Sequence, residues 1–150
     1  MFQGASQDDS NKCGTVFVLK LSDVNFYQFK AHVGVGTNNR GELFALFYLL
    51  KWAFFLGVGS LNLYGDYSMV IQHVQGRVRI TNWSLSPLAQ KIQDILPLFD
   101  QVRAHHIFWE LNEEVDILSK QSLEIQARAY VLVHNVNESV QVSLGNLCDF

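Results

Sequence analysis

The stretch from Leu43 to Gly59 is apolar at almost every position, broken by Lys51 and closed by Gly57 and Gly59. Read as a helix over Asn39–Leu56, it has no polar face to turn to water, so it must be packed on more than one side. It is too short for a membrane span, and no membrane partner is expected. A layered fold buries such a helix, with a sheet on one side and other helices beside it.

The flanking sequence supplies the sheet. Gly14–Leu21 and Phe26–Val35 are rich in Val, Phe and Leu, and Ser22, Asp23 and Asn25 between them carry turn chemistry, which predicts an antiparallel hairpin. A strand over Leu61–Gly65 and a short helix over Ser68–Val74 follow. Gly76–Asn82 reads as an irregular basic connection and Leu85–Val102 as a second long helix containing Pro87 and Pro97. His105–Glu110 reads as a strand, and Asn112 caps a last helix ending near Leu123. The fold class expected is α/β, a mixed sheet with helices on its faces, with residues 1–123 forming one domain. In residues 124–150, Ala129–Val133 and Val140–Leu144 alternate around a polar turn. They either pair as a hairpin outside that domain or stay a flexible tail.

Composition narrows the function. With 49% apolar and 13% aromatic side chains, the chain can bury one substantial core. A formal net charge of -3 gives no overall basic excess, so a polyanion would have to be held by local patches. Cys13 and Cys148 lie far apart and form no CxxC pair, so neither a zinc site nor a disulfide framework is expected. No basic start followed by an apolar run opens the chain, and an intracellular location is expected, nuclear or cytoplasmic.

Three acidic residues stand at element junctions: Glu42 in TNNRGEL, Asp66 in LYGDYSMVI and Asp116 in NEEVDILSK. Each has a plain structural reading. Glu42 would close a capping box opened by Asn39, Asp66 would cap the helix after its strand, and Asp116 would be a solvated charge early in the last helix. Arg77, Arg79 and Trp83 cluster basic and aromatic chemistry suited to phosphates and stacked bases; the rival reading is a solvated loop with one core Trp. His105 and His106 share a predicted strand, where alternation sends one inward and one outward. His32 and His73 have no partner at ligand spacing.

Taken in order, FQGAS, TNNRGEL, LYGDYSMVI and HIFWELNEEVDILSK resemble the ribonuclease H family, in particular the reverse-transcriptase-like ribonuclease H domains of plant retroelements, over about Phe2 to Leu123. The resemblance implies a mixed five-stranded sheet flanked by helices. It further implies a hydrolase, within a longer polyprotein, that cuts the RNA strand of an RNA/DNA hybrid using Mg²⁺, with Mn²⁺ as a substitute. In that chemistry carboxylates hold two cations roughly 3.5 to 4 Å apart, one activating water and one steadying the leaving oxygen. By resemblance, Glu42, Asp66 and Asp116 are the catalytic metal ligands. Asn38 and Asn39 would meet the hybrid backbone, where an amide can recognise a 2′-hydroxyl, and Arg77, Arg79 and Trp83 would hold the strand beyond.

The chain departs from the family pattern at Gln3, where the family carries a further aspartate. A neutral amide leaves three carboxylates against two dications, so metal binding is expected to be weak. Asp8 and Asp9 follow in a turn. Only Met1 and Phe2 precede Gln3, so the first strand is expected to be truncated. Tyr67 follows Asp66 where the family usually has Ser, and Trp109 stands where Arg is common. Two readings result: a hybrid-cutting nuclease with impaired hydrolysis, or a catalytically inactive nucleic-acid-binding or protein-interaction module.

Overall fold

Alternating apolar residues and a tight polar turn make the hairpin at the centre of the molecule. The computed structural model describes the backbone of residues 2–7, 12–107 and 113–150, and the side chains of residues 12–107, 117–118 and 120–150. Strands β1 (Phe2–Gln7), β2 (Lys12–Lys20) and β3 (Asn25–Val35) run antiparallel. The β2–β3 turn is closed by the Leu21 and Ser22 amides, which donate to the Asn25 carbonyl at 2.9 and 3.1 Å. Phe17 and Phe29 are cross-strand partners and their rings stack at 4.8 Å, the kind of pair that fixes register.

Helix α1 (Asn38–Phe55) packs against β1 and β2 and buries Leu43, Leu46, Leu49 and Leu50. The opposite face of β2 is covered by α4 (Glu113–Ser122), whose Leu118 meets Val16 and Val18. A Cβ at Gly14 would collide with the Ser122 hydroxyl, so glycine is what lets the end of α4 come this close to β2. Cover on both faces explains why Cys13 to Leu19 is buried without a break rather than at alternate residues.

Beyond α1 come β4 (Ser60–Gly65), α2 (Ser68–Val74), α3 (Ser86–Ile95) and β5 (Gln101–His106). β4 and β5 pair in parallel, and β1 lies beside β4, so an antiparallel block and a parallel pair stand next to each other. The expected helix over Leu85–Val102 is shorter than its apolar content suggests. α3 stops at Ile95, Leu96–Leu98 form a single 3₁₀ turn around Pro97, and Val102 already belongs to β5. Proline has no amide to continue the helix, and the chain turns there. The strand expected over His105–Glu110 therefore begins earlier, at Gln101; its expected end and the Asn112 cap lie outside the described residues.

β1 is short relative to its neighbour. Its ladder begins at Phe2↔Phe17, whereas β2 continues to Lys20. A cavity of about 680 Å³ lies beyond, between Val18–Leu21 and Ser60–Asn62.

The alternation in the last part of the chain builds β6 (Ala129–Val136) and β7 (Ser139–Asn146). Their turn, Asn137–Glu138, has φ of 47° and 71°, the left-handed pair that suits the twist of a two-residue hairpin. The hairpin does not stand apart. β6 pairs antiparallel with β3 from Asn25↔Val136 to Ala31↔Tyr130, which gives a five-stranded antiparallel order β1-β2-β3-β6-β7. Tyr27 stacks on His134 at 3.9 Å across this seam, and the Phe150 ring packs on Phe29, Tyr48, Trp52 and Tyr130 at 4.7 to 5.6 Å. Among the described residues, no helix is long and apolar enough to cross a membrane.

Candidate functional site

The first turns of α1 are held to the sheet by two side chains of β2. Buried Thr15 donates its hydroxyl to the Gly41 carbonyl at 2.9 Å, and the Cys13 thiol donates to the Thr37 carbonyl at 3.3 Å. These contacts place Glu42 on the sheet side of α1, where it is only 5% exposed. The expected capping box is not formed. Thr37 is the cap, extended at φ -91° and accepting from the Arg40 amide at 3.4 Å, while Asn38 and Asn39 already have helical geometry. Threonine two residues upstream won the competition between two good cap formers, and Glu42 is released from that role.

Asp66 follows β4 in a bend, half-buried. The residue in the cap position of α2 is Tyr67, which makes no side-chain cap bond, so the position expected for Asp66 is held by its neighbour. The His106 Nε2 donates to the Asp66 carbonyl at 3.1 Å and ties this bend to the end of β5. Burial first, and the Glu42 carboxylate second, push the Tyr67 phenol above its ordinary range. That influence puts Glu42 and the Asp66–Tyr67 junction in electrostatic reach of one another. Asp116 lies in α4, and Gln3 in β1 is paired with Val16; both side chains lie outside the described residues, as do Asp8, Asp9 and Trp109. Among the described residues, no cluster of three His, Cys, Asp or Glu side chains forms a metal cage.

Of the remaining predicted residues, all but Asn39 are out in solvent. Asn38 is exposed and Asn39 half-buried at the start of α1. Arg77 and Arg79 are exposed after the turn at Gly76, and Trp83 is 87% exposed, which excludes the reading of Trp83 as a core residue. His105 and His106 are both exposed, against the expected alternation, because β5 is covered only at Val102 and Ala104. His105 instead stacks on Tyr64 at 5.0 Å. No local pattern signals the Thr15 and His106 contacts, since each joins residues far apart in the chain.

The model of a family described as reverse transcriptase-like matches residues 1–122. The chain belongs to that family. Solved ribonuclease H structures share its fold. Ribonuclease H1 of the halophilic archaeon Halobacterium salinarum is 26% identical at a TM-score of 0.75, over 82% of this chain and 94% of that one. A ribonuclease H1 isolated from compost, solved in complex with an RNA/DNA hybrid, is 20% identical at a TM-score of 0.74 over 82% and 94%. The N-terminal ribonuclease H domain of a Mycobacterium tuberculosis protein is 19% identical at 0.69 over 82% and 90%. Comparison with curated proteins by sequence gives no match. The reverse transcriptase-like domain is thus an α/β, ribonuclease H-like domain with a mixed sheet flanked by helices.

Proposed function

We propose that this domain binds RNA/DNA hybrid and hydrolyses its RNA strand at a corner formed by Glu42, Asp66 and Asp116, with turnover limited by Gln3. The observation that carries the reading is the buried Glu42 carboxyl on the sheet side of α1, with half-buried Asp66 following the end of β4, in a chain of ribonuclease H fold. A structure of similar fold that holds an RNA/DNA hybrid supports the same substrate. Carboxylates at the end of a strand and the start of a helix are hard oxygen donors, which fit Mg²⁺ or Mn²⁺. Two such ions, when bound, supply an activated water and a stabilised leaving oxygen. The protein's own contribution is positional. Thr15 and Cys13 fix the first turns of α1 and thereby Glu42, and His106 fixes the bend that carries Asp66. Asn38 and Asn39 meet the hybrid backbone, and Arg77, Arg79 and Trp83 extend the grip along the strand.

Gln3 favours a second reading, a module that grips nucleic acid without cutting it. Titrating Mg²⁺ or Mn²⁺ with a labelled hybrid separates the two. The nuclease reading expects slow, chelator-sensitive cleavage that Gln3→Asp accelerates, most at limiting metal. No cleavage by the folded protein at any metal concentration leaves the binding module.

A further inference from the structure

β7 is the last strand of the antiparallel sheet, and among the described residues no strand pairs along its outer side. The ladder fixes where its main-chain groups point. The two-residue turn makes Val136 and Ser139 a bonded pair, and at the other end the Leu147 amide donates to the Arg128 carbonyl at 2.8 Å. Odd-numbered residues of β7 therefore bond to β6, and Val140, Val142, Leu144 and Asn146 turn their N–H and C=O groups outward. The side chains of Val140, Val142 and Leu144 are 58%, 59% and 73% exposed. They lie on the α4 side of the sheet, since one row of the register runs Val18, Gln28, Val133, Val142 and the next Val16, Lys30, Val131, Leu144. α4 covers the β2 end of these rows through Leu118 and reaches β3, where Lys30 Nζ donates to Gln121 Oε1 at 3.2 Å. Val131 and Val133 beyond it are half-buried, and the rows run out into solvent on β7.

An edge strand of alternating apolar residues is ordinarily guarded by a charge, a proline or a bulge. Ser139–Asn146 has no ionisable side chain and no proline, and its register with β6 is unbroken. The edge is left able to pair, and what it fits is a second copy of itself. With a two-fold axis at Val142, antiparallel pairing sets Val142 opposite Val142 of the second copy and Val140 opposite its Leu144. The outward main-chain groups of each copy then meet those of the other, and the apolar side chains lie side by side on one face. Glu138, in the turn next to Ser139, falls opposite the uncharged Asn146 and not opposite a second carboxylate. A foreign strand with charges at alternate positions would find no counter-ion along this edge. Pairing about a two-fold uses the same edge of both copies, so it closes at two.

We propose that β7 is the seam of a homodimer, in which the antiparallel sheets of two copies join edge to edge about Val142. An eight-residue seam buries less than the roughly 800 Å² per partner of a standard interface, so the association is weak and concentration-dependent. Sedimentation equilibrium of the whole chain over a concentration series tests it, with circular dichroism confirming that each variant folds. The wild type is expected to pass from monomer to dimer as concentration rises. A wild type that stays monomeric up to about 1 mM overturns the proposal and leaves the edge to a strand of another protein. Val142→Lys sets two ammonium groups against each other at the axis, at an exposed position that spares the fold, and is expected to weaken dimerisation by at least roughly tenfold. A dimer of undiminished strength in that variant overturns the seam. Disulfide trapping in a Cys148→Ser chain reads the register independently. Val142→Cys would face its counterpart at a Cα separation of about 5.5 Å, suited to a disulfide, and is expected to crosslink under mild oxidation. Ser139→Cys, about 20 Å from its counterpart along the paired strands, is not. A dimer in which Val142→Cys fails to crosslink, or Ser139→Cys crosslinks as readily, overturns the two-fold pairing.

Discussion

Glu42 is 5% exposed and Trp83 is 87% exposed, and the two mark regions assigned to the same ligand but built in opposite ways. The corner around Glu42 is fixed from behind by Thr15, Cys13 and His106 before any ligand arrives. The Glu42 carboxyl there is closed off from most water and held in place in advance, which is what electrostatic preorganisation requires. The arm from Arg77 to Trp83 has its charges in solvent, where salt screens them and their value lies in attraction and adaptable contact. The contrast implies that the corner governs rate and the arm governs affinity.

The strongest challenge to that division is Asp66→Asn. On the proposed reading, in which Asp66 holds metal, its loss removes several kcal/mol of transition-state stabilisation, so cleavage of a labelled RNA strand should fall by about 10³-fold, with hybrid affinity nearly unchanged. Equal losses of rate and affinity would erase the distinction between the regions. Next in size is Arg77→Ala combined with Arg79→Ala. Each lost phosphate contact lowers the slope of log affinity against log salt by about 1, so fluorescence-anisotropy titrations should show a slope smaller by about 2, with the rate at saturating hybrid retained.

Trp83→Ala sharpens the comparison further. It should cost about 1–3 kcal/mol of binding to a single strand through lost stacking, yet shift unfolding by no more than about 0.5 kcal/mol in a denaturant titration. The smallest effect belongs to the dryness of the corner. Burial pushes the Cys13 thiol up from 9.0 to about 11, against an opposing pull from Arg40. A folded-state value raised in this way contributes stability that is complete below pH 9 and lost as pH rises through about 11. Unfolding free energy should decline across that window, less steeply in Cys13→Ala, and a thiol alkylating reagent at neutral pH should take Cys148 well before Cys13.

Local pattern made α1 and the β2–β3 hairpin legible, because the apolar residues of each leave few ways to be buried. It failed where two local signals compete. Thr37 and Asn39 are both good caps, and only the geometry of the chain entering from β3 selects the first. Leu96 to Val102 is apolar enough for either helix or strand, and Pro97 decides the matter. Contacts between distant segments left no mark at all in local sequence: β6 on β3, Gly14 under Ser122, and His73 against Gln93. The order of the three carboxylates was readable through family resemblance. The burial of Glu42 was not, since it depends on which face of α1 meets the sheet.

The match to the family model stops at residue 122, yet Phe150 is wedged among four aromatic rings contributed by β3, α1 and β6. A nascent chain therefore cannot finish its core while this residue is still inside the ribosome, and for that interval the Phe29 and Trp52 rings must be kept from other nascent chains. Anyone trimming the gene to the family boundary would make that interval permanent.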